Sequence, residues 1–333
     1  GFSSNPWYSG ARDDITESEK EEAITVIDNW RAAHAFPLQV IYIHLRNMAK
    51  NHDDIIVAER LKRLDSILNK LKREPTMSLW TMQDLGGCRF IVSNVDDVYK
   101  YADKYEHSRK RHILKNENDY IKNPKPSGYR SLHKVYEYHS DKNETYNKNM
   151  LIELQFRTHL QHVWATAVET MGIFTHEAIK AGQGSQDVSR FFALTSSLFA
   201  IREGQPVVPG TVNDIDELVH EIESIDAKNN YLEFLQGIKL AVEAQKRNQF
   251  RKDAAYFILV LDYDAHRVSV SSFMASEFEK ANEKYNLIEA SREGKRIDAV
   301  LVRVSSFDVL KKAYPNYFTD IKEFIDIVKS YLK

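Results

Sequence analysis

Cysteine is nearly absent from this chain. Cys88 is the single one in 333 residues, which excludes an internal disulfide and a cysteine-based metal centre and fits a reducing compartment. Charge of one sign is not in excess either: 46 basic and 48 acidic residues leave a net −2. No global field therefore draws the chain to DNA or to a bilayer, and any anion site must be local. No stretch approaches the ~20 consecutive apolar residues of a membrane span. The opening Gly1-Phe2-Ser3-Ser4 shows no basic segment leading into an apolar run, so the expected address is the cytoplasm. Internal repeats and low-complexity tracts are also missing, as is the G-x-x-x-x-G-K-[S/T] pattern of a P-loop.

The length suits two domains, each able to bury a core. Ile24, Ile27, Trp30 and Ala33, then Leu38, Ile41, Leu45 and Met48, recur at helical spacing, with Pro37 as an expected break. A second helix is expected from about Val57 to Lys72. Strands are predicted at Cys88–Val92 after Gly86-Gly87, and at His112–Leu114, His133–Tyr138 and Met150–Phe156. Helices are predicted over His159–Thr170 and Asp187–Ile201. Gly204, Pro206, Pro209 and Gly210 then crowd together, which marks residues 204–213 as a linker between a domain at 15–203 and an accessory unit at 214–333. That unit reads as helical from Asp214 to about Arg247. A hairpin, Ala254–Leu261 with Arg267–Ser271 across the turn at 262–266, follows, with a strand at Ala299–Val304 and helices at Ala275–Tyr285, Phe307–Ala313 and Tyr317–Leu332. No clustered polar set in it reads as catalytic.

Chemistry concentrates in the first half. A helix over Arg60–Arg73 places Leu61, Leu64, Leu68 and Leu71 on one stripe and Lys62, Arg63, Ser66, Lys70 and Arg73 on the other. A solvated face explains that ridge if taken alone, but ridges usually mix signs, and a polyphosphate would supply the missing countercharge. Asp84, just before Gly86-Gly87, is a turn residue by itself; with a second acid it could hold Mg²⁺ and substrate phosphates. Glu153 is that second acid, set in an apolar strand where a charge without function is costly. Pairing with Arg157 is its structural alternative. Glu153, Gln155 and Arg157 alternate onto one face. In Lys125-Pro126-Ser127-Gly128-Tyr129-Arg130-Ser131-Leu132-His133, turn chemistry accounts for Pro, Ser and Gly. It does not account for Tyr129 among Lys125, Arg130 and His133, a set suited to stacking a base and holding its phosphates. His52-Asp53 reads as structural, and His159 with His162 lacks a third ligand for zinc.

Lys125 to His133, followed by Ile152-Glu153-Leu154-Gln155-Phe156-Arg157-Thr158 and Trp164-Ala165, resembles the paired signatures of the RelA/SpoT synthetase domain. Arg60-Leu61-Lys62 with Ser66 and Lys70, and Asp84 with Arg89, match its upstream elements in the same order. The resemblance covers roughly Trp30 to Ile201 and is that of a small alarmone synthetase without a hydrolase domain, carrying an extra C-terminal unit. It implies an α+β fold, a mixed sheet flanked by helices of nucleotidyltransferase type, with a smaller α/β C-terminal domain. It further implies transfer of the β,γ-pyrophosphate of ATP to the 3′-hydroxyl of GDP or GTP, with Mg²⁺ as cofactor. Arg60, Lys62, Ser66, Lys70 and Arg89 would bind ATP, Asp84 and Glu153 the metal, and Glu153 would activate the acceptor hydroxyl. Tyr129 would stack on the acceptor base, with Lys125, Arg130, His133, Gln155 and His162 on the acceptor side. Toxin-like members act on the tRNA 3′ end or make adenosine alarmones, and an inactive nucleotide sensor is a third reading. Gln161 and the stretch Trp164–Thr170 depart from the common pattern of that segment, which bears on acceptor choice more than on reaction type. The motifs leave a homo-oligomer open.

Overall fold

The computed structural model describes residues 16–146, 149–180, 185–229, 231–232, 235, 254–262, 267–291, 297–303 and 321–332. Its elements are helices α1 (Glu17–Ala33), α2 (Ala35–Met48), α3 (Leu64–Arg73), α4 (Val95–Glu106), α5 (His159–Lys180), α6 (Ser185–Arg202), α7 (Ile215–Asn229), α8 (Phe278–Ala290) and α9 (Lys322–Tyr331). The strands are β1 (Ile56–Leu61), β2 (Gly86–Val92), β3 (Ile113–Asp119), β4 (Leu132–Glu137), β5 (Leu151–Thr158), β6 (Tyr256–Asp262), β7 (Arg267–Phe273) and β8 (Ile297–Arg303). They form one sheet in the order β3-β4-β5-β2-β1-β8-β6-β7. Only β2 and β5 run parallel; the other pairs are antiparallel. The expected α+β class with a mixed, helix-flanked sheet is what the chain adopts.

The expected helix over Val57–Lys72 is corrected to a strand followed by a shorter helix. Ile55-Ile56-Val57 is β-branched, and the backbone of β1 pairs with β2 from Ile56 opposite Ile91 to Leu61 opposite Gly86, a ladder that overrides the weak helical preference of Ala58-Glu59-Arg60. Lys62 N–H still donates to Leu85 O at 2.7 Å. Arg63 then turns the chain as the helix N-cap, and Ile67 and Leu71 of α3 bury themselves with Ile27, Met82 and Leu85. The break between α1 and α2 falls at His34, and Pro37 occupies the first turn of α2, where its missing N–H costs nothing. Helix α4 was not anticipated, although Asn94 caps it by accepting from Asp97 N–H at 2.9 Å and Val98, Tyr101, Ala102 and Tyr105 recur on its buried side.

Two apolar clusters hold these layers. The first lies between one sheet face and helices α2 and α4, with Ile41, Leu45, Phe90, Tyr105, Ile152, Leu154 and Phe156 at its centre. The second joins Val163, Trp164, Phe191 and Phe192 of α5 and α6 to Leu218 and Ile222 of α7 and to Phe324, Ile325 and Val328 of α9. The expected linker at 204–213 connects α6 to α7, with Val208 fully buried and its N–H bonded to Ser197 Oγ at 2.9 Å. Sheet and second cluster both include residues from either side of it. Within the C-terminal unit β6 pairs with β7 and β8, as the hairpin reading required, and β8 meets β1 at Glu59 opposite Arg303 and Arg60 opposite Val302. Most of the turn at 262–266 and the expected helix Phe307–Ala313 lie outside the described residues. No helix among those residues is long and apolar enough to cross a membrane.

Candidate active site

Strand register assembles the polar set. Arg60 lies opposite Gly87 and Ala58 opposite Arg89; Gly87 lies beside Glu153 and Arg89 beside Gln155; Gln155 faces His133 on β4. Because side chains alternate, Arg60, Arg89, His133, Glu153, Gln155 and Arg157 all leave the sheet on the face opposite the one packed against α2 and α4. The intervening residues Cys88, Phe90, Leu154 and Phe156 go into that core. One face of four neighbouring strands is thus mostly apolar, with Glu59 and Lys134 as buried charges on it, and the other carries the clustered acids, amide and cations.

Asp84 is the convergence point of the cationic ridge. Its carboxylate accepts from Lys62 Nζ at 2.7 Å and Lys70 Nζ at 3.1 Å, with all three side chains mostly shielded from solvent. Burial pushes the Asp84 carboxyl up, but the two ammonium groups outweigh it and hold it below the usual carboxylate range. Burial lowers the Lys62 ammonium, against the pull of Asp84, and the charges of Arg60 and Lys70 add to the lowering. Ser66, one turn before Lys70 on α3, is half-buried. The ridge therefore has an acid after all, supplied from the loop before β2. Two lysines over one aspartate, with Arg60 close enough to act on Lys62, leave a local excess of positive charge.

Glu153 is held at both oxygens: His133 Nδ1 lies 2.9 Å from Oε1, and Gln155 Nε2 donates to Oε2 at 2.7 Å. Tyr129 Oη lies 2.8 Å from His133 Nε2. A neutral imidazole with its proton on Nδ1 satisfies both bonds, accepting from the phenol and donating to the carboxylate. Burial raises the Glu153 carboxyl, His133 and Gln155 lower it further than burial raises it, and the charge of Asp84 opposes them. The carboxylate is therefore ionised, oriented and electrostatically aware of Asp84. Two carboxylates so arranged, in a place already rich in phosphate-seeking cations, fit Mg²⁺, an ion that takes one or two protein carboxylates and keeps water and substrate oxygens for the rest. No group of three or more His, Cys, Asp or Glu side chains fit to hold a metal by themselves occurs among the described residues.

Tyr129 is half-buried rather than standing free on its turn. Its ring sits edge-on to His133 at 5.6 Å and to Tyr120 at 6.1 Å between centroids, and burial raises its phenol. Lys125 Nζ lies 4.3 Å from the Tyr120 ring centroid and 5.5 Å from that of Tyr129. Gly128, at φ +92°, makes the turn feasible: a Cβ there would meet Trp164 Cζ2 at 2.8 Å and Ser196 Cβ at 2.9 Å, so both backbone angle and space demand glycine.

Two expected acceptor-side residues point elsewhere. Arg130 is buried and donates to Ser196 Oγ at 3.1 Å, Ile121 O at 3.2 Å and Pro206 O at 2.7 Å; burial pushes its guanidinium down to about 10. It ties the turn to α6 and to the segment beyond. His162 is buried against Arg157 Nη2. Arg89 lies at the cleft with Glu169 Oε1 3.8 Å from its Nη2, and burial together with the charge of Arg89 pushes the fully buried Arg157 down to about 10. The arrangement thus gathers Arg60, Lys62, Lys70, Asp84, Arg89, Tyr129, His133, Glu153 and Gln155, with Lys125 at the rim. Sequence reasoning passed over Tyr120 and Glu169. The signal for Tyr120 was weak, because it follows β3, an edge strand exposed on one face and half-buried on the other, whose Lys115-Asn116-Glu117-Asn118 shows no apolar alternation.

Residues 59–177 match the family model described as "Region found in RelA / SpoT proteins", in line with the resemblance that the motifs carry. GTP pyrophosphokinase YjbM of Bacillus subtilis (strain 168) is 37% identical over 112 residues, covering 33% of this chain and 52% of that protein. GTP pyrophosphokinase YwaC of the same organism is 27% identical over 168 residues, covering 46% and 79%. The chain thus matches about half the length of YjbM and a larger part of YwaC. Among solved structures, the small alarmone synthetase 1 from Bacillus subtilis bound to its product pppGpp is similar, with 24% identity and a TM-score of 0.45 over 53% of this chain and 92% of that one.

Proposed function

We propose that this chain is an ATP-dependent nucleotide pyrophosphokinase that moves the β,γ-pyrophosphate of ATP to the 3′-hydroxyl of GDP or GTP, releasing AMP and making a guanosine tetra- or pentaphosphate. The observation that carries this reading is Glu153, ionised and fixed by His133 and Gln155 on the same sheet face as Arg60 and Arg89, with Asp84 near enough to bias its titration. Lys62, Lys70 and Arg60 bind the triphosphate, with Ser66 at the helix start beside them. Arg89 lies against the adenine. Tyr129 and Lys125 form the acceptor side, where the phenol stays anchored to His133 while the ring stacks on the base. Glu153 takes the proton of the attacking 3′-hydroxyl, and holding its carboxylate in place before substrate arrives is where its two hydrogen bonds contribute. Mg²⁺, when bound by Asp84 and Glu153, supplies charge neutralisation for the phosphates. The lysines that now hold Asp84 are the groups a polyphosphate would claim, so ATP binding frees a carboxylate for the ion that accompanies it.

The accessory unit at 214–333, joined through 204–213, is proposed to act on this cleft from the side of β1. The test of the central reading is one assay: full-length protein, Mg²⁺ and γ-labelled ATP, with GDP, GTP, ATP or deacylated tRNA offered separately. Label on GDP or GTP at the 3′ position is the expected result. Label on tRNA or on ATP alone replaces the acceptor named here, and no transfer to any of the four overturns the enzyme reading.

A further inference from the structure

Glu153 can serve as a base only while its carboxylate is aimed, and a glutamate side chain has several torsions to fix before it is. Two hydrogen bonds hold it. His133 Nδ1 lies 2.9 Å from Oε1 and Gln155 Nε2 donates to Oε2 at 2.7 Å, which leaves each oxygen a lone pair for the cleft. Gln155 stands two residues further along the same strand and moves with Glu153. His133 comes from β4, so its bond ties the carboxylate to a neighbouring strand.

An imidazole is an ambiguous anchor. Its second torsion is broad, and a half-turn of the ring replaces Nδ1 with carbon. In the neutral form either nitrogen can hold the proton, and an ionised Glu153 needs it on Nδ1. The hydroxyl of Tyr129, 2.8 Å from His133 Nε2, removes both ambiguities. A phenol that donates to Nε2 leaves the proton to Nδ1, and a turned ring would meet that phenol with carbon. Packing supports the same pose: Tyr120 stands edge-on to the imidazole at 5.2 Å and Tyr129 at 5.6 Å between centroids. His133 is only 9% exposed, so water has little access to stand in for either bond. The turn that carries Tyr129 is itself fixed on α6, where Gly128 O accepts from Ser196 Oγ at 2.6 Å.

We infer that Tyr129 and His133 form a positioning relay, in which the phenol hydroxyl fixes the imidazole and the imidazole aims Glu153, so that the ring on which the acceptor base stacks also sets the general base. The inference rests on the proposed role of Glu153, through which His133 acts. Its consequence is that acceptors are sorted in kcat as well as in KM. A nucleotide whose base presses on Tyr129 steadies the relay, whereas one docked by its phosphates alone leaves Glu153 poorly aimed.

The experiment separates the hydroxyl from the ring in the full chain. Tyr129→Phe keeps the stacking surface, so in the labelled-ATP assay the acceptor KM should hold within about twofold while kcat falls about three- to tenfold, the contribution of one neutral hydrogen bond. His133→Ala should lower kcat by about a hundredfold. His133→Asn, whose amide nitrogen takes the place of Nδ1 but does not reach the phenol, should recover most of that loss and match Tyr129→Phe. In the His133→Asn background Tyr129→Phe should have no further effect, because the bond it removes is already gone. A second readout needs no turnover: ¹⁵N spectra of the histidine side chains at mildly alkaline pH, with the His133 signal identified by its loss in His133→Asn. The proton is expected on Nδ1 in the parent and shared between both nitrogens in Tyr129→Phe. Parental kcat in Tyr129→Phe, a loss confined to KM, additive effects of the two substitutions, or a parent His133 protonated on Nε2 would each overturn the relay. A parent that labels no acceptor would defeat the catalytic reading by itself, and the tautomers of His133 would still decide the relay.

Discussion

Replacing Glu153 with glutamine tests the cleft most sharply. The amide is nearly isosteric, so the site keeps its shape, and one of its atoms can still accept from His133 or Gln155. What is lost is the negative charge and the ability to take a proton. General-base assistance of this kind contributes about 10²–10⁴ in rate, so kcat for labelled transfer should fall by that factor, about 3–5 kcal/mol in the barrier. Ground-state nucleotide affinity should stay within about tenfold, because the carboxylate acts mainly as the transition state forms. Stability at neutral pH should fall modestly, because His133 and Gln155 hold the Glu153 charge in place more strongly than burial and Asp84 oppose it. The pH dependence has a defined sign. Both Glu153 and Asp84 are held below their ordinary values in the folded state, so each contributes stability that is present above the unfolded pKa of about 4 and is lost as pH falls through the lower folded value. The acid limb of a melting curve in Glu153→Gln should therefore be shallower than in the parent. Near-parental kcat in the labelled-ATP assay, with guanosine nucleotides saturating, would show that Glu153 is a structural ion and that the base is elsewhere.

Three further outcomes follow from the same geometry. Lys62→Met with Lys70→Met should raise the KM for ATP and lower Tm by about 2–4 °C, because the pair also shields Asp84 and each partly buried bond contributes around 1 kcal/mol; unchanged KM in steady-state kinetics would return the ridge to a structural role. Arg130→Ala should cost about 2–4 kcal/mol in chemical denaturation, since Ser196 and two carbonyls lose their donor, while the acceptor KM measured on the folded fraction stays constant; the opposite pattern would restore Arg130 to the acceptor pocket. Ending the chain at Pro209 should expose the faces of Trp164, Phe191 and Phe192 that α7 and α9 cover, giving a fragment that aggregates or melts well below the parent in scanning calorimetry; a soluble fragment with parental Tm would show that residues 15–203 form an independent unit.

What the sequence made legible follows from how locally each feature is encoded. Glu153 stood out because a lone acid in an apolar run violates strand patterning, and its neighbours Gln155 and Arg157 follow from period two without knowledge of the fold. Asp84 was visible as a candidate, yet its lysine partners come from β1's end and from α3, a contact that no spacing rule reveals. Arg60 was assigned to a helix because Leu61, Leu64, Leu68 and Leu71 keep helical spacing across a boundary; only the ladder to β2 shows that the first of them ends a strand. Arg130 carried the right charge in the right motif and still turned inward, because Gly128 lets the turn pack directly on Trp164 and Ser196. The docking of β8 on β1 is carried by backbone groups, which every residue has, and so left no trace in side-chain pattern.

That docking changes what kind of edge the molecule presents to the world. Without β8, β1 would offer a row of open amides and carbonyls, the template on which strands of other molecules add. Here the chain supplies that strand itself, so β1 is an interior strand, and among the described residues the sheet is bounded by β3 and β7. β3 alternates exposed Lys115 and Glu117 with shielded neighbours, the sort of charged rim that discourages strand addition. A second copy of this chain seeking to associate would find its route along β1 taken, leaving β7 and the helical faces as the surfaces on which self-association has to be sought.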